Sequence, residues 1–127
     1  MNREAAVRAA DVMLRANGVR DVMLRMFAPA TAGSQAEELG LVTPEFQDLP
    51  LGAVAMRKAG SETELVVSGM IVEAIVGTLQ FMSAKLLFLG AVGVVIDGAV
   101  YAVKNCVAMR ADDAVYAYRV VLTPPQV

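Results

Sequence analysis

Residues 93–103 read GVVIDGAVYAV, and Asp97 and Gly98 at their centre separate two runs rich in β-branched side chains. An Asp-Gly pair in that setting signals a two-residue hairpin, because both central residues of the tight turn need positive φ and these two types tolerate it at the least cost. The C-terminal half of the chain is therefore committed to antiparallel sheet. The second strand continues through Tyr101, Val103 and Val107, turns at 111–113, and returns as AVYAYRVVL until Pro124 and Pro125 end it. On the return strand, Tyr116, Tyr118, Val120 and Leu122 share one face and Val115, Ala117, Arg119 and Val121 the other. Apolar side chains on both faces point to a sheet that curls and is covered on two sides.

The N-terminal end follows a different period. Over residues 2–16, helical spacing sets Glu4, Arg8, Asp11 and Arg15 on one side and Ala6, Val7, Ala10, Met13 and Leu14 on another. Glu4 with Arg8 and Asp11 with Arg15 are i,i+4 pairs in the favourable order, and Asn17 with Gly18 supplies a left-handed stop. The pentapeptide DVMLR, helical at 11–15, recurs at 21–25. There Val22, Leu24 and Met26 alternate with polar and larger neighbours, which fits a half-buried strand, while Val19, Val22, Met23 and Met26 also fit a helix. The shortness of the segment and its closure by Pro29 favour the strand. The flanks of the two copies differ, so the duplication implies no repeat architecture.

Residues 28–50 hold three of the five prolines and no sustained period, and read as a long loop or arm. Phe46 and Leu49 are its apolar anchors. Beyond it, LGAVAMRK and TELVVSG read as a strand and its return around Ala59, Gly60 and Ser61. Two short helices follow, 69–76 stopped by Gly77 and 84–89 stopped by Gly90, with Ser68 and Ser83 as N-caps. The fold class is thus mainly β with a few short helices (α+β): a small β-barrel or curled antiparallel sheet of five or six strands carrying an N-terminal helix. The 127 residues make a single domain, with the helix at 1–17, the arm at 28–50 and the barrel core at 51–127.

Composition removes most chemistry. The chain has no histidine, and Cys106 is its only cysteine. Disulfide frameworks, Cys/His zinc sites and the usual imidazole base are therefore excluded, and the sequence nominates no catalytic, cofactor-binding or metal-ligating residue. Lysine chemistry stays formally open at Lys58, Lys85 or Lys104, though nothing in their surroundings marks one. Cys106, flanked by apolar residues, reads as a small buried hydrophobe. The stretch GAVGVVIDG lacks the spacing of a dinucleotide loop. Eight methionines suit core gap-filling better than a dedicated binding surface.

Charge is uneven although the total is only −2. Residues 1–27 carry five Arg against three acids, residues 28–64 carry Arg57 and Lys58 against six acids, and the remainder balances at four each. No basic stripe suited to nucleic acid appears. The apolar fraction is 57%, yet the intervals from Glu73 to Lys85 and from Lys85 to Asp97 each enclose only eleven uncharged residues, against the roughly 20 a spanning helix needs. Residues 1–15 also lack the charged start and apolar centre of a secretory signal. The expectation is a soluble protein whose surplus apolar surface is buried against copies of itself.

The N-terminal helix, GVRDVMLR, PEFQDLPLGAVAMRK and the closing VVIDGAVYAV…VYAYRVVL hairpin together resemble the head–tail connector proteins of tailed bacteriophages, in particular head-closure or stopper proteins of the neck. That resemblance implies a structural virion protein without enzymatic activity, assembled in the bacterial host cytoplasm into a hexameric or dodecameric ring. The ring would meet a portal or adaptor above and a tail-completion or tail-tube protein below, with DNA only as passing cargo and no membrane contact. Asp97, Gly98, Tyr101, Tyr116 and Tyr118 would then be structural. Pro44, Glu45, Phe46, Gln47 and Leu49 are the expected inter-subunit arm, and Glu37, Glu38, Asp112 and Asp113 the expected channel-facing acids. Two other classes compete: a membrane-associated protein inserting residues 65–96 as a helical hairpin, and a monomeric ligand-binding barrel.

Overall fold

The computed structural model describes residues 3–27, 46–111 and 113–125. In chain order these form α1 (Arg3–Asn17), β1 (Met23–Phe27), β2 (Phe46–Pro50), β3 (Ala55–Ala59), β4 (Glu62–Ser68), α2 (Gly69–Leu79), α3 (Ala84–Leu89), β5 (Gly93–Ile96), β6 (Ala99–Ala111) and β7 (Ala114–Thr123). The chain is mainly β with three short helices, as the sequence implies. One antiparallel sheet of seven strands, in the order β2-β1-β5-β6-β7-β4-β3, replaces the expected five or six, and it does not close into a barrel.

Its curl follows from connectivity. The two edge strands, β2 and β3, are joined by only the four residues 51–54, which reach less than about 18 Å even when fully extended. The edges of the sheet must therefore approach each other. Residues 46–54 lie beside 19–27: the β1–β2 ladder holds Phe27 against Phe46 through Met23 against Pro50, and past a break where Asp21 and Gly52 take positive φ the two segments meet again. Beyond the ladder, Leu51 N–H donates to Val22 O at 3.0 Å, and Val19 and Val54 exchange both backbone bonds at 2.7 and 2.9 Å. Gly18 makes this approach possible, since a Cβ there would stand 2.9 Å from the Val54 backbone. Helix α1 thus ends at the predicted place, but neither Asn17 nor Gly18 takes the positive φ of the expected left-handed stop; glycine is needed at 18 for this close approach to Val54.

The hairpins follow their sequence signals. Asp97 (φ 49°) and Gly98 (φ 81°) both take positive φ and join Ile96 to Ala99. Strand β6 then serves two neighbours, pairing with β5 over 99–101 and with β7 over 102–111. Bulges break its regularity: Lys104 lies unpaired between Val103 opposite Leu122 and Asn105 opposite Val121, and Tyr116 lies unpaired on β7. Because one extra residue reverses the faces, Cys106 turns inward, as its apolar flanks suggest, and Val107 outward.

Helices α2 and α3 fill the concave side. Val72, Ala84, Leu87 and Phe88 join Leu24, Leu65, Val67, Cys106, Tyr118, Val120 and Leu122 in one apolar cluster. Full burial of side chains such as Phe88, Leu24 and Leu65 stabilises the fold by about 1.5–3 kcal/mol each. The helix expected to stop at Gly77 continues to Leu79 and ends on left-handed Gln80, with Phe81 N–H donating to Val76 O. Interior glycine costs only about 1 kcal/mol, which the packing of Val76 and Leu79 against the core offsets. Ser83 caps α3 as expected, accepting from Leu86 N–H at 3.2 Å. Ser68 sits at the N-cap of α2 without a capping bond, because its hydroxyl donates to Asp11 Oδ1 at 3.0 Å.

That contact revises the reading of α1. Asp11, expected on the polar face, is 5% exposed and accepts from both Ser68 and Arg15, whereas Met13, expected on the apolar face, is 65% exposed. Residues 46–50 of the expected loop are likewise strand β2. The segment 65–96 is no helical hairpin either, since its two ends are β4 and β5 of the sheet. Among the described residues no helix is long and apolar enough to cross a membrane.

Candidate interaction surface

The most distinctive surface chemistry lies where β1 meets β2. Phe46, Asp48 and Pro50 stand opposite Phe27, Arg25 and Met23. The bond from Leu51 N–H to Val22 O sets the alternation of the ladder, so Leu24 with Leu49 and Met26 with Gln47 are the pairs that exchange backbone bonds. The backbone groups of Phe46 and Asp48, and the Pro50 carbonyl, therefore point away from the sheet. Proline at an edge position is compatible with this, since it has no N–H to leave unpaired.

Side chains reinforce the same cross-strand pairs. Arg25 donates from Nε and Nη2 to the two carboxylate oxygens of Asp48 at 2.8 and 3.0 Å, and its guanidinium carbon stands 5.7 Å from the centre of the Phe46 ring. Each ion pulls the other toward its charged form: Arg25 is held above its ordinary range chiefly by the hydrogen bond, and Asp48 below its own by the same bond. The rings of Phe27 and Phe46 pack tilted with centroids 5.6 Å apart. They nonetheless remain 60% and 49% exposed. Next to this corner, an open apolar groove of about 260 Å³ runs between Leu49 and Pro50 on one side and Ala74, Ile75, Thr78 and Leu79 of α2 on the other.

Of the expected arm, Phe46, Gln47 and Leu49 belong to β2 and pair with β1 of their own chain. Pro44 and Glu45 lie outside the described residues, as do Glu37, Glu38 and Asp112 of the expected channel acids. Asp113 is exposed at the β6–β7 turn. Sequence reasoning missed Arg25 and Phe27, whose partners come from β2 after the intervening 28–45, a separation that leaves no spacing signal.

The interior offers little reactive chemistry. Burial pushes the Cys106 thiol up to about 11, with Lys85 opposing the shift, so the sulfur stays neutral and packed. Tyr118 donates its hydroxyl to Glu73 of α2. Desolvation first, and that carboxylate second, raise its pKa well above the ordinary value of 10.0. Tyr118 therefore adds stability that is complete below about pH 10 and declines as pH rises toward the raised value. Among the described residues no three His, Cys, Asp or Glu converge as a metal site. In comparisons with known proteins, the chain matches no family model, no curated protein and no solved structure.

Proposed function

We propose that the protein is structural: a ring-forming subunit that assembles with copies of itself, of the kind that joins portal or adaptor to tail in a bacteriophage neck and encircles the passing DNA. The observation that carries this reading is the exposed Phe27–Phe46 pair, set beside Arg25 on a strand edge whose outward backbone groups have no partner among the described residues. Aromatic side chains and arginine dominate the energetics of protein interfaces. An open edge that keeps them in solvent is an aggregation hazard unless a neighbour covers it. Met82 at 91% exposure, with Leu86 and Leu89 about half exposed, adds apolar surface that contact with a neighbour would take out of water. The phage role rests on the resemblance in element order and hairpin character; self-assembly rests on the surface.

Light scattering coupled to size-exclusion chromatography tests the reading, with negative-stain imaging of the peak. The wild-type protein should elute as one multimer of fixed mass with a central opening. Phe27→Ser combined with Phe46→Ser should give a monomer with an unchanged circular dichroism spectrum. A wild-type protein that stays monomeric at high concentration overturns the proposal.

A further inference from the structure

We infer that neighbouring copies join edge to edge, with β3 of one chain adding to β2 of the next so that Lys58 faces Asp48 across the joint. The inference deepens the self-assembly reading and rests on it. Among the described residues, β3 is the other open edge of the sheet. Its hairpin to β4 turns on Gly60 (φ 64°) and Ser61 between Ala59 and Glu62. A two-residue loop of this kind closes on a bonded pair. Ala59, Arg57 and Ala55 therefore spend their backbone bonds on β4, while Met56 and Lys58 turn theirs outward. Val54 has the same parity, and its outward groups are the ones that Val19 takes.

Charge selects the occupant and the register. Residues 28–50 contain four acids and no cation, whereas β3 displays Arg57 and Lys58. Arg57 is engaged by Glu64, but exposed Lys58 has no ion-pair partner among the described residues. Antiparallel docking with Asp48 opposite Lys58 sets Pro50 opposite Met56. Asp48 and Lys58 then exchange two backbone bonds, and Met56 N–H donates to the Pro50 carbonyl, so the missing proline N–H removes only one link. Phe46 falls opposite Gly60, around which a side-chain carbon would meet nothing within 4 Å. Pairing β2 with a second β2 instead would set Asp48 against Asp48, which like charge disfavours. The β2–β3 joint is head-to-tail, so each copy gives one edge and receives the other, and the chain of copies closes when its rotation allows.

Substitutions at Lys58 test the joint without touching the β3–β4 ladder. Lys58→Glu brings two acids together, and Lys58→Pro removes an outward N–H that β4 does not use; Lys58→Arg keeps the charge. By light scattering at moderate salt, the Glu and Pro variants should run as monomers with wild-type circular dichroism, and the Arg variant at wild-type mass. A Lys58→Glu protein that keeps the wild-type mass overturns the edge joint and leaves the ring reading intact. A wild-type protein that never assembles overturns both.

Discussion

The two copies of DVMLR end in opposite structures. At 11–15 the pentapeptide is helix, with Asp11 5% and Val12 58% exposed; at 21–25 it leads into strand, with Val22 1% exposed and Asp21 outside. Only the leucine is buried in both settings, as Leu14 and Leu24. Local preference is nearly indifferent here, since the same five residues satisfy either period. Long-range partners decide instead. The first copy has β7 and β4 beneath it and Ser68 to engage its aspartate, while the second lies between β2 and β5.

Removing the leucines probes that contrast most strongly. Leu24→Ala, inside the main cluster, should cost about 2–5 kcal/mol in urea unfolding. Leu14→Ala, at the margin of the fold, should cost distinctly less, and equal losses would mean that α1 is as integral as β1. The valines come next. Val22→Ala should cost about 2 kcal/mol, whereas Val12→Ala should stay within about 0.5 kcal/mol of wild type, since alanine is the better helix former and little packing is lost. The third contrast lies at Asp21 itself, whose φ is 66°. Asp21→Ala should cost about 1 kcal/mol because a Cβ without a local hydrogen bond strains that conformation. Asp21→Gly should be close to neutral, its conformational ease offset by a looser unfolded chain. All three pairs are read from midpoints of chemical denaturation.

The sequence made legible what short-range rules govern. The Asp97 and Gly98 turn, the Ser83 cap and the Gly90 end of α3 each depend on residues a few places apart, and each stands where expected; α1 also ends at Asn17, though without the expected left-handed residue. What escaped depends on distant partners. Two prolines near β2 made it look like loop, although Pro50 is tolerated because its position faces outward from the sheet. The bulges at Lys104 and Tyr116 shift the pleat without any local marker. Asp11 hid its burial behind Arg15, an i,i+4 partner that explains it fully as a surface residue until Ser68 is seen. At the candidate surface, Phe46 and Leu49 were recognisable as apolar anchors, while the answering Arg25 and Phe27 required the register.

The pairing of 19–27 with 46–54 bears on when this corner takes shape. Strands β3–β4, β5–β6 and β6–β7 each close over a two-residue loop, whereas β1 must find β2 across residues 28–45, and closing a longer loop loses more chain entropy before any contact rewards it. A newly made chain would thus complete its local hairpins before it zips the segment that carries Phe46 and Asp48. The adhesive corner would mature late, giving a young subunit time to organise its interior before it can be captured by a sibling.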